Sequence, residues 1–258
     1  LSDADRNWVI SLDELLAEGR RFNLQSNALS TNLESLTGSD TCTIVYTSGT
    51  TGNPKGVVLT HANFAFECNA VLELGIQSTD TQLLFLPLAH IFAKVLYAAF
   101  IRVGAVTAFA ESVLKAVDNM KEVRPTVVGS VPRVYEKIHT KVISGAQQAA
   151  GLKEKIFDWA MSVGEEMCIA HERGKEPDKI LSLKHGLAMK LVGGKLHEVF
   201  GGRIRLFVSG GAPLSPELSR FFFGFGLQIL EGYGLTETTA ATHANRPGQL
   251  RFGTVGQA

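Results

Sequence analysis

Eleven consecutive residues combine glycines, hydroxyl side chains and a lysine in a pattern suited to binding an anion. They read Tyr-Thr-Ser-Gly-Thr-Thr-Gly-Asn-Pro-Lys-Gly, from Tyr46 to Gly56, and they follow an apolar run that we interpret as a buried strand. Glycines allow backbone N–H groups to turn inward around an anion, and the four hydroxyl groups donate further hydrogen bonds. Lys55 adds a positive charge. This composition predicts a loop that holds phosphate groups.

This segment differs from the phosphate loop of P-loop NTPases, which requires the pattern G-x-x-x-x-G-K-[ST]. Lys55 follows Pro54 and precedes Gly56, and no Ser or Thr comes next. A glycine-rich surface turn is the alternative interpretation, but turn geometry does not require four hydroxyl residues so close together. We therefore interpret the segment as a phosphate-binding loop of another kind.

The segment resembles the phosphate loop of the adenylate-forming superfamily, which contains acyl-CoA synthetases, luciferases and the adenylation domains of peptide synthetases. Two further segments resemble motifs of that superfamily, in the same order along the chain. Ser209-Gly-Gly-Ala-Pro213 resembles the turn beside the adenine pocket, and Glu231-Gly-Tyr-Gly-Leu-Thr-Glu237 resembles the Tyr-Gly-x-Thr-Glu motif, here placed after the predicted strand Gln228–Leu230. The resemblance covers nearly the whole chain and implies the activation of a carboxylic acid by ATP.

The resemblance also implies a role for each matching residue. Tyr233 would stack on adenine, Thr236 would bond the α-phosphate, and Glu237 would bind Mg²⁺, with Thr47 as a further ligand. Thr236 and Glu237 are the implied catalytic residues, because hydrogen-bond donors and a metal must act on the transferring phosphoryl group. The adenine pocket would also contain Gly211, Ala212, Pro213 and Gly234. The β- and γ-phosphates of ATP would be held by Thr47, Ser48, Gly49, Thr50, Thr51, Gly52 and Lys55. Taken singly, Tyr233 is better explained as a core aromatic and Glu237 as a solvated acid.

A histidine lies in a further segment that resembles the superfamily's L-P-x-x-H motif beside the acyl site. This segment reads Leu86-Pro-Leu-Ala-His-Ile-Phe92, and His90 would be a third catalytic residue that positions the carboxylate or gates the acyl tunnel. A single histidine in an apolar run is equally well explained as a core residue with satisfied hydrogen bonds. Both interpretations stay open.

The segment Val131-Pro-Arg-Val-Tyr-Glu-Lys137 and a helical insertion at about residues 144–203 resemble bacterial long-chain fatty acyl-CoA synthetases. This resemblance implies that a long-chain fatty acid and MgATP form an acyl-adenylate, which coenzyme A then converts to acyl-CoA. Two alternatives remain open. One is an adenylating enzyme for an aryl or amino acid, and the other is a non-catalytic nucleotide-binding module.

Apolar runs of strand length alternate with helix-period stretches along most of the chain. Several of these runs are continuous, as in strands that are covered on both faces. We expect an α/β fold with a mostly parallel, doubly wound sheet, flanking helices and a ligand site at the carboxyl ends of the strands. The strand candidates are Thr43–Tyr46, Leu83–Leu86, Ala105–Ala110, Thr126–Gly129, Ile204–Val208 and Gln228–Leu230. The helix candidates include His90–Val103, Val113–Val123 and Pro132–Ile143.

Two helical regions have more specific signals. Thr60 is suited to cap the start of a helix, and Gly75 is suited to end it. Between them, apolar residues recur at i+4 spacing at Ala62, Phe66, Ala70 and Leu74. Residues 152–205 have a helical pattern with basic and acidic residues in near-equal numbers. Such mixed charge is typical of amphipathic surface helices, and docking to a partner or a membrane surface is the alternative.

Charge and cysteine content exclude several functional classes. Lys+Arg and Asp+Glu both total 25, so the chain has no formal net charge and no whole-chain attraction to nucleic acid. Its three cysteines are too few and too dispersed for a disulfide framework or a zinc site, which indicates a reduced cytoplasmic setting. The most apolar window, Leu83 to Ile101, contains Pro87 and Lys94 and predicts core segments with no transmembrane helix.

The resemblance also predicts how the chain is organised. Residues 1–40 would be part of a lead-in segment, and residues 41–258 would be part of an AMP-binding domain, with the C-terminal domain absent. We therefore expect the chain to be an internal fragment that does not complete adenylation by itself. Oligomeric state, peripheral membrane contact and preferred acyl length stay open.

Overall fold

A six-stranded sheet forms the centre of the computed structural model, which describes residues 10–25, 28–48, 52–149 and 151–258. A separate hairpin contains β1 (Thr41–Thr47) and β2 (Lys55–Thr60). The central sheet contains β3 (Thr81–Leu84), β4 (Val106–Phe109), β5 (Val127–Ser130), β6 (Leu206–Ser209), β7 (Ile229–Leu235) and β8 (Ala240–Ala244). Its strand order is β4-β3-β5-β6-β7-β8, and every neighbouring pair is parallel except β7 and β8. The prediction of a mostly parallel α/β sheet is confirmed.

Helices cover both faces of this sheet, as a doubly wound fold requires. The helices are α1 (Leu12–Gln25), α2 (Ala28–Ser35), α3 (His61–Leu72), α4 (Ile91–Val103), α5 (Ala116–Val123), α6 (Pro132–Ala149), α7 (Leu152–Glu172), α8 (Lys179–Ala188), α9 (Gly194–Val199) and α10 (Pro216–Gly224). Helices α1 and α2 belong to neither buried cluster, and the faces of the sheet are covered by the helices from α3 onward. One buried cluster joins α3 and α4 to one face of the sheet through Val71, Val95 and Leu206. A second cluster, which includes Tyr135 and Phe207, packs α5, α6, α7, α9 and α10 on the other face.

The strand before the phosphate loop lies outside the central sheet, contrary to prediction. β1 pairs with β2 in an antiparallel hairpin, and Val45 is the fully buried residue of β1, while Ile44 and Tyr46 are exposed. The expectation of a buried strand in the parallel sheet was therefore wrong for this element. An antiparallel pair needs only a short connection, so the glycine-rich loop returns the chain directly into β2.

The third motif lies within a strand, whereas the sequence predicted that it follows one. β7 begins at Ile229, one residue after the predicted Gln228, and continues to Leu235 because β8 pairs with its second half. A bulge between Tyr233 and Gly234 interrupts this pairing. The sequence analysis missed β8, whose small residues Ala-Ala-Thr-His-Ala carry little strand signal.

The start of α3 was predicted correctly, but its buried face was not. The Thr60 side chain accepts a hydrogen bond from Asn63 N, and the Asn63 side chain accepts one from Thr60 N, which forms a capping box. The apolar residues at i+4 spacing do not mark that face, because Ala62, Phe66 and Ala70 are exposed. The buried residues of α3 are Glu67, Cys68 and Val71.

Residues 152–205 contain helices and no strand, as predicted. α7 crosses α10 at two glycines, where a Cβ on Gly164 would lie 3.2 Å from Gly224 Cα. This close approach lets α7 cover the second buried cluster, which includes its own Ala160 and Val163. Helix α6 was predicted to end at Ile143, but it continues to Ala149. It therefore passes without a break through residue 144, where the predicted insertion would begin. The insertion at about 144–203 and the domain boundaries stay predictions.

Within the described residues, no helix has both the length and the apolar content needed to span a bilayer.

A buried aspartate ties the amino ends of three strands together, at the edge of the sheet opposite the predicted site. Asp80 forms an ion pair with Arg205, and its carboxylate accepts hydrogen bonds from Thr126 Oγ1 at 2.6 Å and Gln77 N at 2.7 Å. Burial raises the pKa of Asp80, but the hydrogen bonds from Arg205, Thr126 and Gln77 outweigh it and hold that pKa below its ordinary value. The ionised form of Asp80 therefore stabilises the fold.

We expect Asp80→Asn to lower the free energy of unfolding by about 2 kcal/mol at pH 7, because hydrogen bonds to a charged group are lost. The contribution of ionised Asp80 is present above its unfolded pKa of about 4, and it declines as the pH falls through the lower folded pKa. Urea unfolding at pH 7 and in acid tests this difference. Asp158→Asn, at an exposed position on α7, is the control. An unchanged midpoint for Asp80→Asn at pH 7 would contradict the prediction.

Candidate functional site

A cavity of about 370 Å³ lies at the carboxyl ends of β5, β6 and β7, beneath α3 and α4. Its polar wall contains Glu67, His90, Ser209, Tyr233 and Thr236, with Gly210, Gly211, Gly232 and Gly234. Most of its other lining is apolar and includes Val71, Leu74, Leu86, Ile91, Phe92, Val95, Leu96, Val131, Val208 and Leu235. Ligands of doubly wound sheets bind at this edge, so the location agrees with the sequence prediction. The cavity can accommodate a polar group at one wall and an apolar group between the helices.

The turn after β6 is fixed by a buried carboxyl group. Gly210 N donates to Ser130 O at 3.2 Å, and Leu214 N donates to Glu231 Oε1 at 3.0 Å. Burial raises the pKa of Glu231, and the hydrogen bond from Leu214 opposes this rise. Gly211 has a φ of +83°, which only glycine adopts without strain. Glu231 thus positions the predicted adenine-pocket turn, a role that the sequence analysis did not assign.

The hairpin of β7 and β8 presents the residues of the third motif. A Cβ on Gly234 would lie 1.4 Å from Ala240 O, so only glycine permits this approach of the two strands. Thr239 and Ala240 have positive φ angles of 64° and 106°. Such angles are strained in residues with a Cβ and cluster at functional sites. Tyr233, half exposed, lies beside the cavity in the strand that this approach holds in place.

A hydroxyl group holds the short turn that contains Thr236 and Glu237. Thr238 Oγ1 accepts a hydrogen bond from Leu235 N at 2.9 Å and lies 3.0 Å from both Leu235 O and Ala240 O. Thr239 N donates to Thr236 O, which closes the turn. The hydrogen bonds of Thr238 leave Thr236 at the cavity and Glu237 exposed to solvent.

A glutamate on α3 supports the same hairpin from the other side of the cavity. Glu67 is only 2% exposed, lines the cavity and accepts a hydrogen bond from Ala241 N at 2.8 Å through Oε1. Burial raises the pKa of Glu67 to about 7, against the effect of that hydrogen bond. The sequence analysis missed Glu67, and the residues around it gave little signal, since Val71 is the one buried apolar residue three or four positions away.

His90 lies at the amino end of α4 and lines the cavity. It occupies the N-cap position, but its side chain makes no capping hydrogen bond, and the residue is exposed. The alternative that His90 is a buried core histidine is therefore wrong. The amino end of a helix carries a positive partial charge that attracts carboxylates.

The phosphate loop connects β1 to β2 next to the third motif. Thr47 ends β1, Lys55 begins β2, and the two residues pair across the hairpin. Gly52 has a φ of +113°, and Ser48 is exposed. β2 contacts the turn Thr236–Thr238, so this hairpin and the third motif are neighbours. Gly49, Thr50 and Thr51 lie outside the described residues.

The structure brings some of the predicted residues to the cavity and leaves others outside it. Those that line the cavity are His90, Gly211, Tyr233, Gly234 and Thr236. Those described residues that do not line it are Thr47, Ser48, Gly52, Lys55, Ala212, Pro213 and Glu237. Ala212 and Pro213 are exposed in the turn after β6. Part of the predicted adenine pocket thus shares one cavity with His90 and Thr236, while Thr47, Ser48, Gly52 and Lys55 belong to a neighbouring hairpin.

Two buried hydroxyl groups at the carboxyl edge of the sheet lack a hydrogen-bond partner within the described residues. They belong to Ser130 on β5 and Ser209 on β6, which face each other in the strand register. Ser209 also lines the cavity. Buried hydroxyl groups are normally paired, so this wall of the cavity retains hydrogen-bonding capacity for a water molecule or a polar ligand.

The described residues contain no cluster of three or more His, Cys, Asp and Glu side chains that could hold a metal ion without other ligands. Mg²⁺ in nucleotide sites is bound by one or two carboxylates together with phosphate oxygens and water. The exposed carboxylate of Glu237, next to the phosphate hairpin, supplies a hard oxygen ligand of this kind. The residues present therefore fit an ion that arrives with a nucleotide.

Comparisons with known proteins identify the family of the chain. The family model described as AMP-binding enzyme matches residues 3–258. The chain is 36% identical over 250 residues to the long-chain-fatty-acid–CoA ligase FadD15 of Mycobacterium tuberculosis, a match that covers 96% of this chain and 41% of that protein. It is 37% identical over 220 residues to the peroxisomal long chain acyl-CoA synthetase 6 of Arabidopsis thaliana, covering 84% of this chain and 30% of that protein.

A solved structure shows the same fold. The ternary product complex of a malonyl-CoA ligase, with methylmalonyl-CoA and AMP bound, superimposes with a TM-score of 0.59 at 23% sequence identity. The superposition covers 86% of this chain and 38% of that chain. The chain thus spans well under half the length of the relatives that it matches.

Proposed function

Because this chain belongs to the AMP-binding enzyme family, we propose that the protein activates long-chain fatty acids with ATP and transfers them to coenzyme A. One observation carries the proposal. A single cavity joins the motif residues Gly211, Tyr233 and Thr236 to an apolar space between the sheet and helices α3 and α4. A fatty acyl-adenylate has the same two parts, a polar nucleotide and an apolar chain. The names of the curated relatives support the same substrate class.

The proposed reaction has two steps. In the first, a carboxylate oxygen of the fatty acid attacks the α-phosphorus of ATP, the bond from that phosphorus to the β-phosphate oxygen breaks, and pyrophosphate leaves. In the second, the thiol sulfur of coenzyme A attacks the acyl carbonyl carbon, loses its proton and displaces AMP. The first step gives the acyl group a good leaving group. The second requires a site from which water is excluded, since water would hydrolyse the adenylate.

Each motif residue has a place in this proposal. Tyr233 stacks on adenine across from the turn Gly211–Pro213, and the Thr236 hydroxyl donates to an α-phosphate oxygen. The phosphate hairpin, through Thr47, Lys55 and the loop between them, holds the β- and γ-phosphates. Support comes from the cavity lining and from the contact between β2 and the turn Thr236–Thr238.

The fatty carboxylate is proposed to lie at the amino end of α4. His90 and the positive end of the α4 dipole attract a carboxylate there, and both adjoin the cavity. The acyl chain then extends along apolar residues of α3 and α4, such as Val71, Ile91 and Val95. His90 is thus proposed as a group that contacts the substrate.

Mg²⁺ is proposed to bind with the nucleotide, held by Glu237 and by Thr47 as a further ligand. When bound, it supplies positive charge that offsets the negative charge of the phosphates. Glu237 is exposed on a turn that contacts β2, so its carboxylate reaches the side of the site where the phosphates would lie. Removing this carboxylate by Glu237→Gln should weaken nucleotide binding in Mg²⁺ and leave binding in EDTA unchanged.

A reduced cytoplasmic setting remains part of the proposal. The basis is the sequence, since the three cysteines Cys42, Cys68 and Cys168 are too few and too dispersed for a disulfide framework. Burial raises the pKa of Cys168 to about 12, so this thiol is unreactive.

The substrate class is tested by thermal unfolding of the chain with non-hydrolysable acyl-adenylate analogues that carry a long-chain, acetyl or aryl group. A ligand at a hundred times its Kd stabilises the folded state by about 2.7 kcal/mol. We expect selective stabilisation by the long-chain analogue, its loss in Tyr233→Ala and its retention in Tyr233→Phe, which keeps the ring. Stabilisation by the aryl analogue alone would indicate another adenylating enzyme. Stabilisation by AMP and by every analogue alike would indicate a non-catalytic nucleotide-binding module, and no stabilisation would contradict an adenylate site in this chain.

A further inference from the structure

Helix α8 and the turn that follows it expose a row of large apolar side chains. Ile180, Leu183, Leu187 and Leu191 are 67%, 76%, 50% and 44% exposed. Their spacing of three, four and four residues places them on one side of the helix, and we call this row the α8 stripe. It shares no residue with the lining of the cavity. Contiguous apolar surface of this kind marks an interaction site more often than isolated exposed leucines do.

The opposite side of the same helix is anchored to the protein, so the stripe faces outward. Ala188 is buried in the second cluster, and Leu181 and Met189 pack against that cluster. His185 Nε2 donates to Gly224 O at 2.8 Å. These contacts fix the rotation of the helix, so α8 cannot turn to bury the stripe.

Four lysines accompany the stripe, and acidic residues occur only at its two ends, where Asp178 precedes Lys179 and Glu198 follows His197. Lys179, Lys184, Lys190 and Lys195 are all exposed, and residues 179–197 contain no Asp or Glu. Among the described residues, these lysines form no ion pair. By helical spacing, Lys179 and Lys184 lie on opposite edges of the stripe. This segment is thus cationic in a chain whose net charge is zero.

An apolar stripe between lysines matches the surface of an anionic bilayer. Apolar side chains enter the boundary between headgroups and acyl chains, while lysines extend their amino groups to the lipid phosphates. A nucleic acid would place phosphates against the apolar centre of the stripe, which makes it the poorer match. Helix α1 also exposes Leu12, Leu15 and Leu16, but Asp13, Glu14 and Glu18 accompany them, so its charge does not suit an anionic surface.

We infer that the α8 stripe and its lysines dock the protein onto an anionic lipid bilayer, with α8 parallel to the membrane plane. The inference does not depend on the proposed function, because the stripe lies on the opposite face of the sheet from the cavity. For residues 152–205 the sequence left two interpretations, a solvated face and docking to a partner or a membrane surface, and this inference takes the second.

Sedimentation of the chain with lipid vesicles tests this inference. We expect binding to phosphatidylcholine vesicles in which about a third of the lipid is phosphatidylglycerol, and much weaker binding to pure phosphatidylcholine. Added salt should weaken the binding. The double variant Leu183→Gln/Leu187→Gln and the double variant Lys184→Glu/Lys190→Glu should each reduce the partition coefficient by at least about tenfold.

Matched control variants distinguish binding through this surface from nonspecific adsorption of the protein to vesicles. Leu114→Gln changes a leucine that is 85% exposed outside α8, and Lys137→Glu changes an exposed lysine on α6; neither should alter binding. Leu187→Trp adds a reporter whose emission should shift to the blue with anionic vesicles, whereas Leu114→Trp should not respond. Circular dichroism checks that each variant is folded, and the lysine variants test the inference even where the leucine variants fail to fold.

Three results would overturn the inference. The first is equal binding to both vesicle types, or binding to neither. The second is unchanged binding by the folded leucine and lysine variants. The third is self-association of the chain that Leu183→Gln abolishes, without vesicle binding, because the stripe would then be an interface between two copies of the protein.

Discussion

Gly234→Ala is expected to lower the free energy of unfolding by about 3 kcal/mol or more and to abolish adenylate binding. A Cβ at this position would lie 1.4 Å from Ala240 O and 2.8 Å from Ala241 Cα. Both are backbone atoms, so no side-chain rotation relieves the overlap. β7 and β8 would have to separate, which would displace Tyr233 and the turn Thr236–Thr238.

Urea unfolding of the variant measures this effect, and the same strand offers a close control. Gly232 lies two residues earlier, on the same face of β7, and a Cβ there would meet His243 O at 3.4 Å, an ordinary contact distance. Gly232→Ala should therefore cost less than about 1 kcal/mol. Equal unfolding midpoints for the two variants would contradict the structural role given to Gly234.

Glu67→Gln is expected to stabilise the protein above pH 7 by up to about 3 kcal/mol and to have little effect near pH 5. Burial raises the pKa of Glu67 to about 7 from its ordinary value of 4.5. Between these values the folded state binds the extra proton, so wild-type stability falls as the pH rises through this range, and above pH 7 the full cost of the buried charge remains. Glutamine removes that charge and keeps an oxygen that accepts the hydrogen bond from Ala241 N.

Chemical unfolding at pH 5 and pH 8 separates the charge of Glu67 from its hydrogen bond. Glu67→Ala removes both, so it should destabilise the protein at pH 5, where Glu67→Gln is nearly neutral. Glu136→Gln, at an exposed position on α6, should change stability little at either pH. A loss of stability in Glu67→Gln at pH 8 would show that the ionised carboxylate is favourable and would contradict the account.

A helix or strand could be predicted where the residues that determine it lie close together in the sequence. The runs that became β5 and β6 are continuous and apolar because helices cover both of their faces. The capping box at Thr60 is likewise local, since both of its hydrogen bonds join Thr60 and Asn63. The β1 run looked similar, but an apolar run does not reveal whether a second layer covers it. Ile44 and Tyr46 are exposed on a hairpin that the sequence analysis placed in the sheet.

The site was predictable in its motifs but not in the contacts that hold them. Tyr233, Thr236 and Gly211 follow from the resemblance, and the structure places them at one cavity. Glu67 accepts a hydrogen bond from Ala241 N, although the two residues are 174 positions apart in sequence. A local sequence pattern cannot predict a contact between residues so far apart. The need for glycine at 234 likewise arises from β8, whose small residues gave no strand signal. The supporting contacts of this site are thus tertiary, and a single sequence does not specify them.

A crystal structure of the chain with a non-hydrolysable long-chain acyl-adenylate analogue would show whether one cavity holds both the nucleotide and the acyl chain. We expect adenine between Tyr233 and the turn Gly211–Pro213, with the phosphate substitute beside Thr236. We also expect the acyl chain to lie between the sheet and helices α3 and α4, against Val71 and Val95. An analogue bound at another surface, or an acyl chain directed into solvent while this cavity stays empty, would contradict the account.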